Sequence, residues 1–172
     1  MVAAVAVGPM REQVCAFFGV ADPGDGAVLR RGSLEARLLP FMPQARFDEL
    51  LWACAWNFVR GEDSMVRAQW AARPLVWHIY RQEARAHELK LDAFLDIYLA
   101  GLDPATAEAL RRFWWAWNQH DTPTAVSVRA AWEVLQPRWQ RLAEHAEAWS
   151  ARLAGTGDLA GNLMQFCDKR LK

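Results

Sequence analysis

Histidine and cysteine are the side chains best suited to bind a metal ion or to act as a nucleophile. The chain has four histidines and three cysteines. No two histidines are three or four residues apart, and neither an HExxH nor a CxxC motif is present. The histidines are His78, His87, His120 and His145, and the cysteines are Cys15, Cys54 and Cys167. We therefore predict no metal site built by this chain alone.

The other reactive side chains also lack a catalytic pattern. No GxSxG sequence or glycine-rich phosphate loop is present. Cys54 lies between Trp52 and Trp56, and such an apolar setting raises the pKa of a thiol and makes it unreactive. Asp92 and Asp96 are four residues apart, which is typical of the solvated face of an amphipathic helix. We predict no catalytic residue.

Tryptophan is unusually frequent, with 10 residues in a chain of 172. Trp52 and Trp56 are one helical turn apart, and Trp114, Trp115 and Trp117 lie in a single short run. Rings at this spacing line helix faces, where they bury a large area and carry an N–H group that needs a partner. Two interpretations remain open: a tryptophan-rich helical core, and an aromatic surface that binds another protein.

Charge and composition exclude several classes of protein. Lys and Arg number 20, as do Asp and Glu, and neither half of the chain is basic, so a nucleic-acid or polybasic membrane role has no electrostatic support. No apolar run approaches the roughly 18–20 residues of a membrane span. The apolar start, residues 1–7, is short and has no basic flank, unlike a signal peptide. Three widely spaced cysteines favour a reducing, cytoplasmic location.

The apolar patterns predict a mainly α fold. Residues 2–7 are compatible with a strand, residues 10–19 with a helix, and residues 27–41 with two short strands around Arg31, Gly32 and Ser33. From residue 44 onward we predict helices only. Their ranges are 44–60, 63–85, 88–100, 104–119, 123–154 with a break near Gln136, and 158–171. This gives two parts, a small mixed α/β segment over residues 1–43 and a helical body over residues 44–172.

A further expectation comes from residues 38–42 (LLPFM) and the following residues 51–58 (LWACAWNF). This stretch resembles the small partner subunits of multinuclear non-haem iron oxidases that modify cysteines in ribosomal peptides, as in methanobactin and 3-thiaglutamate biosynthesis. In those subunits a Pro-Phe-Met turn leads into a tryptophan-rich helix. The resemblance covers roughly residues 37–60.

The resemblance implies a non-catalytic accessory subunit that binds a precursor peptide and presents its cysteine to the oxidase. Iron would be bound by the partner subunit, and this chain would hold no cofactor. An added peptide strand would contact the edge formed by residues 27–39. The implied peptide-binding residues are Arg30, Arg31, Arg37 and Leu38. The implied partner interface is Trp52, Trp56, Trp114, Trp115 and Trp117.

Two other functions remain open from the residues themselves. The first is a stand-alone helical protein-binding module, such as an immunity protein, a phage inhibitor or a chaperone. The second is a helical bundle that binds a small molecule or haem in a Trp-lined pocket, with His78 or His120 as the axial ligand.

Overall fold

The computed structural model describes residues 1–118 and 125–170. The chain divides into two compact units, Met1–Phe47 and Asp48–Lys172. His120, a proposed axial ligand, and the predicted helix start at residues 122–123 lie outside the described residues. The functional division predicted after residue 43 stays a prediction.

The first unit is a small three-stranded sheet with one helix. Its elements are β1 (Val2–Val5), α1 (Pro9–Phe18), β2 (Val28–Arg31) and β3 (Leu34–Leu38). The strand order is β1-β3-β2, with β1 parallel and β2 antiparallel to β3. Gly32 has a φ of 58° in the hairpin turn, a conformation that glycine adopts without steric cost. The core of the unit is Val5, Cys15, Ala36 and Leu38.

A buried arginine holds the loop that connects α1 to β2. Arg11 is almost fully buried, and its guanidinium bonds to the carboxylates of Asp22 and Asp25. Gly24 N–H also donates to Asp22, at 2.9 Å. These bonds hold the pKa of Asp22 below its ordinary value, first through Arg11 and then through the Gly24 amide.

The second unit combines a two-stranded parallel sheet with helices. Helix α2 (Gln44–Ala53) crosses the boundary between the units. It is followed by β4 (Asn57–Arg60), α3 (Glu62–Trp70) and β5 (Leu75–His78), which form a β-α-β arrangement. The later helices are α4 (Ala86–Tyr98), α5 (Pro104–Asn118), α6 (Ala125–Leu135), α7 (Trp139–Ala154) and α8 (Leu159–Arg170).

Aromatic residues form two clusters in the second unit. Trp114 is completely buried and stacks on Phe94, with ring centroids 5.7 Å apart. A second cluster joins Trp56 to Trp132 and Trp139, at 5.1 and 5.7 Å. All ten tryptophans lie within the described residues, and of these Trp52 and Trp70 are more than half exposed. Among the residues described, no helix is both long enough and apolar enough to cross a membrane.

The predicted fold class is confirmed: the protein is mainly α with a small mixed α/β segment at its N-terminus. The hairpin around Gly32 and the break after Leu135 are also where the sequence predicts them. The prediction of helices only beyond residue 44 is wrong at two places, because β4 and β5 lie inside the predicted helices 44–60 and 63–85. Strands of only four residues are too short to show the alternation of apolar and polar residues that distinguishes a strand from a helix in the sequence.

Candidate functional site at the end of the parallel strands

The candidate site lies where the two parallel strands of the second unit end. Arg60, the last residue of β4, is in register with His78, the last residue of β5. Along β4, Asn57 and Val59 are buried, whereas Phe58 and Arg60 are exposed on the other face. The alternation places the Arg60 guanidinium in solvent at the carboxyl edge of the sheet.

Gly61 connects β4 directly to helix α3. Its φ is 77°, a left-handed value that favours glycine. Gly61 N–H donates to the His78 carbonyl at 3.2 Å, and the Trp77 indole N–H donates to the Gly61 carbonyl at 3.0 Å. The turn is therefore tied to β5 through both backbone polar groups of Gly61.

The ring of Tyr80 lies against this turn. A Cβ at position 61 would be 2.7 Å from Tyr80 Cε2, so the close approach requires glycine. The Arg60 guanidinium carbon lies 5.2 Å from the centroid of the same ring, a cation–π distance. Arg60 forms no ion pair within residues 1–118 and 125–170, so its charge remains available to an anionic ligand.

The N-terminus of α3 adds hydrogen-bond donors to this edge. The first N–H groups of a helix have no partner within the helix, and no side chain of the described part of the chain caps α3. The two acidic residues of the first turn are paired: Glu62 accepts from Lys90 at 3.1 Å and Asp63 from Arg67 at 3.0 Å. Their negative charge is thus partly offset beside the helix end.

An exposed, strained segment follows β5. Residues 80–86 are all exposed, and Ala84 and Arg85 have φ values of 51° and 58°, which are uncommon for residues with a side chain. The segment is anchored at His87, which is buried and whose Nδ1 accepts the Gln82 backbone N–H at 3.2 Å. That bond requires an unprotonated Nδ1.

The carboxyl end of parallel strands beside a helix N-terminus is where α/β proteins bind phosphorylated ligands. Here the edge offers an exposed guanidinium 5.2 Å from an aromatic ring, and the first amide groups of α3 follow two residues later in the chain. Although the protein as a whole is mainly α, this local β-α-β edge has the chemistry that suits an anionic, phosphate-bearing ligand. Over the described ranges, no group of three His, Cys, Asp or Glu side chains is placed to hold a metal.

The residues predicted to bind a peptide lie in the first unit. Arg30 and Arg37 both pair with Glu35, at 2.8 and 2.7 Å, and Arg31 donates to the Phe17 carbonyl at 2.7 Å. Leu38 is completely buried in the core of that unit. Their assignment to a binding site stays a prediction.

The tryptophans predicted to form a partner interface are dispersed. Trp114 lies in the core and Trp56 in the aromatic cluster, while Trp115 donates its indole N–H to Asp92 at 2.8 Å. Trp117 is partly exposed and lies 4.8 Å from the ring of Phe58, whereas Trp52 is 55% exposed at the end of α2. Whether any of them contacts another protein stays a prediction.

Sequence reasoning missed the edge itself. The predicted helix over residues 44–60 ends just before Gly61, whereas in the structure Gly61 lies between strand β4 and helix α3. The signal that the sequence does carry is Gly61 followed by an acidic first turn, which is typical of a helix start.

Comparison with known proteins identifies the family. The profile described as Elongation-Factor P (EF-P) rhamnosyltransferase EarP matches residues 1–168. A protein-arginine rhamnosyltransferase of Pseudomonas aeruginosa is 46% identical over 162 residues, which are 92% of this chain and 41% of that protein. The protein of the same name from Shewanella oneidensis is 40% identical over 144 residues, 84% of this chain and 36% of that protein.

A solved structure agrees with this assignment. It is described as "Structural basis for EarP-mediated arginine glycosylation of translation elongation factor EF-P", and it superposes with a TM-score of 0.82 at 39% identity. The match covers 98% of this chain and 52% of that one. The chain belongs to the EarP family, and it spans about two fifths of the length of the curated relatives it matches.

This membership corrects the functional expectations. The resemblance to iron-oxidase partner subunits is wrong, because the match to the EarP family covers nearly the whole chain. The stretch behind the resemblance is also not a tryptophan helix: α2 ends at Ala53, and Trp56 precedes β4. An iron oxidase and a precursor peptide as partners, peptide natural-product biosynthesis, a non-catalytic subunit and a stand-alone binding module are likewise wrong, since the relatives are named as transferases.

Proposed function

We propose that this chain is part of a protein-arginine rhamnosyltransferase and binds the activated rhamnosyl donor at the β4–α3 edge. The acceptor of the complete enzyme is an arginine of EF-P. Family membership over residues 1–168 supports the reaction, and the chemistry of the edge supports the role of these residues in it. Because EF-P is a translation factor, the same proposal places the protein in the cytoplasm.

Rhamnosyl transfer to arginine replaces one bond at the anomeric carbon of the sugar. The bond to the leaving-group oxygen breaks, and that oxygen keeps the electron pair. A guanidinium nitrogen of the acceptor forms the new bond and loses a proton. A nucleoside diphosphate is a suitable leaving group because its negative charge can be held by fixed donors and cations.

Arg60 is the observation that carries this proposal. Its guanidinium is exposed, has no ion pair among the described residues, and lies next to the first turn of α3. Guanidinium groups bind phosphate oxygens in a bidentate manner, and helix N-termini bind the same oxygens through their amides. The exposed ring of Tyr80 supplies an apolar surface beside the charge, where a base or a sugar ring can pack.

The test is calorimetric titration of the chain with a panel of rhamnosyl donors: dTDP-, UDP- and GDP-rhamnose. We expect saturable binding of one donor. The variant Arg60→Gln should bind that donor about 10- to 100-fold more weakly. The matched control is Arg112→Gln, which removes another exposed guanidinium, one that pairs with Glu108 on α5. Equal effects of the two variants, or no binding by the unmodified chain, would contradict the donor site.

The acceptor is tested by incubating the chain with EF-P and the donor that binds. Peptide mass mapping then shows whether an arginine of EF-P has gained one deoxyhexose. Because the chain spans less than half of its curated relatives, bound donor without modification would mean that these residues bind the donor and do not complete the transfer alone.

A further inference from the structure

We propose that Asn118 is a positioning residue that holds Tyr80 over Gly61 by completing the free edge of β5. The inference rests on the proposed donor site, and it assigns a role to the last residue of α5. Asn118 is distant in sequence from the edge and has no charge, so nothing in its own surroundings along the chain marks it.

Asn118 is 7% exposed and uses both ends of its amide. Its Oδ1 accepts the backbone N–H of Ile79 at 2.9 Å. Its Nδ2 donates to the carbonyl of Trp77 at 2.8 Å and to the carbonyl of Trp114, in its own helix, at 2.9 Å. The side chain therefore joins the end of α5 to β5 through two backbone groups of β5 and its extension.

These two backbone groups face away from β4. The bonds between the strands use the carbonyls of Pro74 and His78, which accept from Asn57 and Gly61. Because backbone groups of alternate residues in a strand point to opposite sides, Trp77 and Ile79 face the other edge. Asn118 occupies that edge as one residue of a neighbouring strand would, with one acceptor and one donor.

The consequence for the site follows from the sequence order. Tyr80 directly follows Ile79, so the bond from Ile79 N–H fixes the direction in which the chain leaves β5. Three atoms of the Tyr80 side chain lie within 3.1 Å of the place that a Cβ of residue 61 would occupy. A ring placed with so little room depends on where its backbone is held.

The chemistry of the amide is specific. Aspartate at this position would keep the acceptor for Ile79 but direct a second oxygen at two carbonyl oxygens. Leucine has the same number of side-chain heavy atoms and the same branching at Cγ, and it would leave the Ile79 N–H and the Trp77 carbonyl without partners in a buried place. Asn118→Leu thus removes the clamp with little change in shape.

Asn57 provides the matched control. It is also a buried asparagine, and its Nδ2 donates to the Leu51 carbonyl at 3.0 Å. It lies at the amino end of β4, in register with Leu75, at the opposite end of the sheet from Tyr80. Asn57→Leu loses the same kind of bond without touching the chain exit at Ile79.

The experiment compares donor binding by the unmodified chain, Asn118→Leu and Asn57→Leu, using the rhamnosyl nucleotide selected by titration, and records the thermal midpoint of each. We expect both variants to melt at lower temperature and only Asn118→Leu to bind the donor about tenfold more weakly. Unchanged binding by Asn118→Leu, or an equal loss in both, would overturn the positioning role. Failure of the unmodified chain to bind would instead overturn the donor site and the inference with it.

A double-mutant cycle tests whether Asn118 acts through Tyr80. In a chain that carries Tyr80→Ala, adding Asn118→Leu should change donor affinity less than about twofold, since the ring to be positioned is gone. A full tenfold loss in that background would show that Asn118 affects binding by another route and would refute the proposal.

If Asn118→Leu does not fold, hydrogen exchange of the unmodified chain tests the positioning role instead. Binding and positioning are reciprocal, so saturation with donor should slow hydrogen exchange of the Ile79 amide, which is bonded to Asn118. The Cys54 amide, bonded to Leu50 in α2, should exchange at the same rate with and without donor. No slowing at Ile79 would overturn the proposal.

Discussion

The ring of Tyr80 occupies the space that a Cβ of residue 61 would need. The separation would be 2.7 Å from Cε2 and 3.0 Å from the hydroxyl oxygen. Gly61 is also in the left-handed region, with a φ of 77°. Position 61 is therefore restricted twice, by its own backbone and by a side chain from the segment that follows the neighbouring strand β5.

Gly61→Ala should destabilise the second unit by roughly 2–5 kcal/mol, combining the cost of a left-handed alanine with that of overpacking. The control is Gly101→Ala, which has the backbone cost alone because a Cβ there meets nothing within 4 Å. Urea unfolding followed by tryptophan fluorescence measures both, since all ten tryptophans lie at or beyond Trp52. Equal losses would mean that the Tyr80 ring moves aside freely.

Acid should open the first unit. The pKa of Asp22 is lowered in the folded state by Arg11 and the Gly24 amide, so its stabilising contribution is complete above the ordinary aspartate pKa of about 3.9. The contribution is lost as the pH falls through the lower folded pKa. Hydrogen exchange of the Leu38 amide, bonded to Ala27, reports this opening after correction for intrinsic rates.

The variant Asp22→Asn separates this effect from other acid effects. It should exchange faster than the unmodified chain at neutral pH, because the charged partner of Arg11 is gone. Its protection at Leu38 should then change less with pH in the acid range. A variant that follows the same pH curve as the unmodified chain would rule out Asp22 as the titrating group.

Trp114→Ala should cost roughly 3–5 kcal/mol, the range for removing a large aromatic from a core. Trp114 is completely buried and stacks on Phe94. Trp52→Ala, at a position 55% exposed, should change the free energy of unfolding by no more than about 0.5 kcal/mol. Similar losses for both, measured by urea unfolding, would contradict the division between core and surface rings.

The cysteines should differ in reactivity. Burial raises the pKa of the Cys54 thiol, so a smaller fraction of Cys54 is thiolate near pH 8. Cys167, in contrast, is exposed to solvent and to the reagent. Iodoacetamide should modify Cys167 first and Cys54 slowly, with peptide mass mapping as the measurement. In urea the two rates should become similar, and a difference that persists there would point to local sequence rather than burial.

The elements that the sequence predicts well are those with long patterns or strong turn residues. Helix α4 shows Leu91, Leu95 and Tyr98 at helical spacing, and all three are buried. Pro137 and Gly32 mark a helix break and a hairpin turn, respectively. These signals are local, so one stretch of chain is enough to recognise them.

The candidate site could not be predicted in the same way. Strands β4 and β5 have four residues each, and their apolar residues fit a helix equally well. The contact of Gly61 with Tyr80 depends on the pairing of these strands, and Asn118 reaches Ile79 across 39 residues. These two contacts form only when distant parts of the chain pack together, so the local sequence around each residue does not predict them.

The amide of Asn118 has one more consequence, for solubility. An unpaired strand edge exposes N–H and C=O groups that can template pairing with a strand of another chain. At β5 the groups of Trp77 and Ile79 are already bonded to Asn118, so a foreign strand finds no free ladder at that position. A single side chain thus protects the last strand of this small sheet against aggregation without any additional strand.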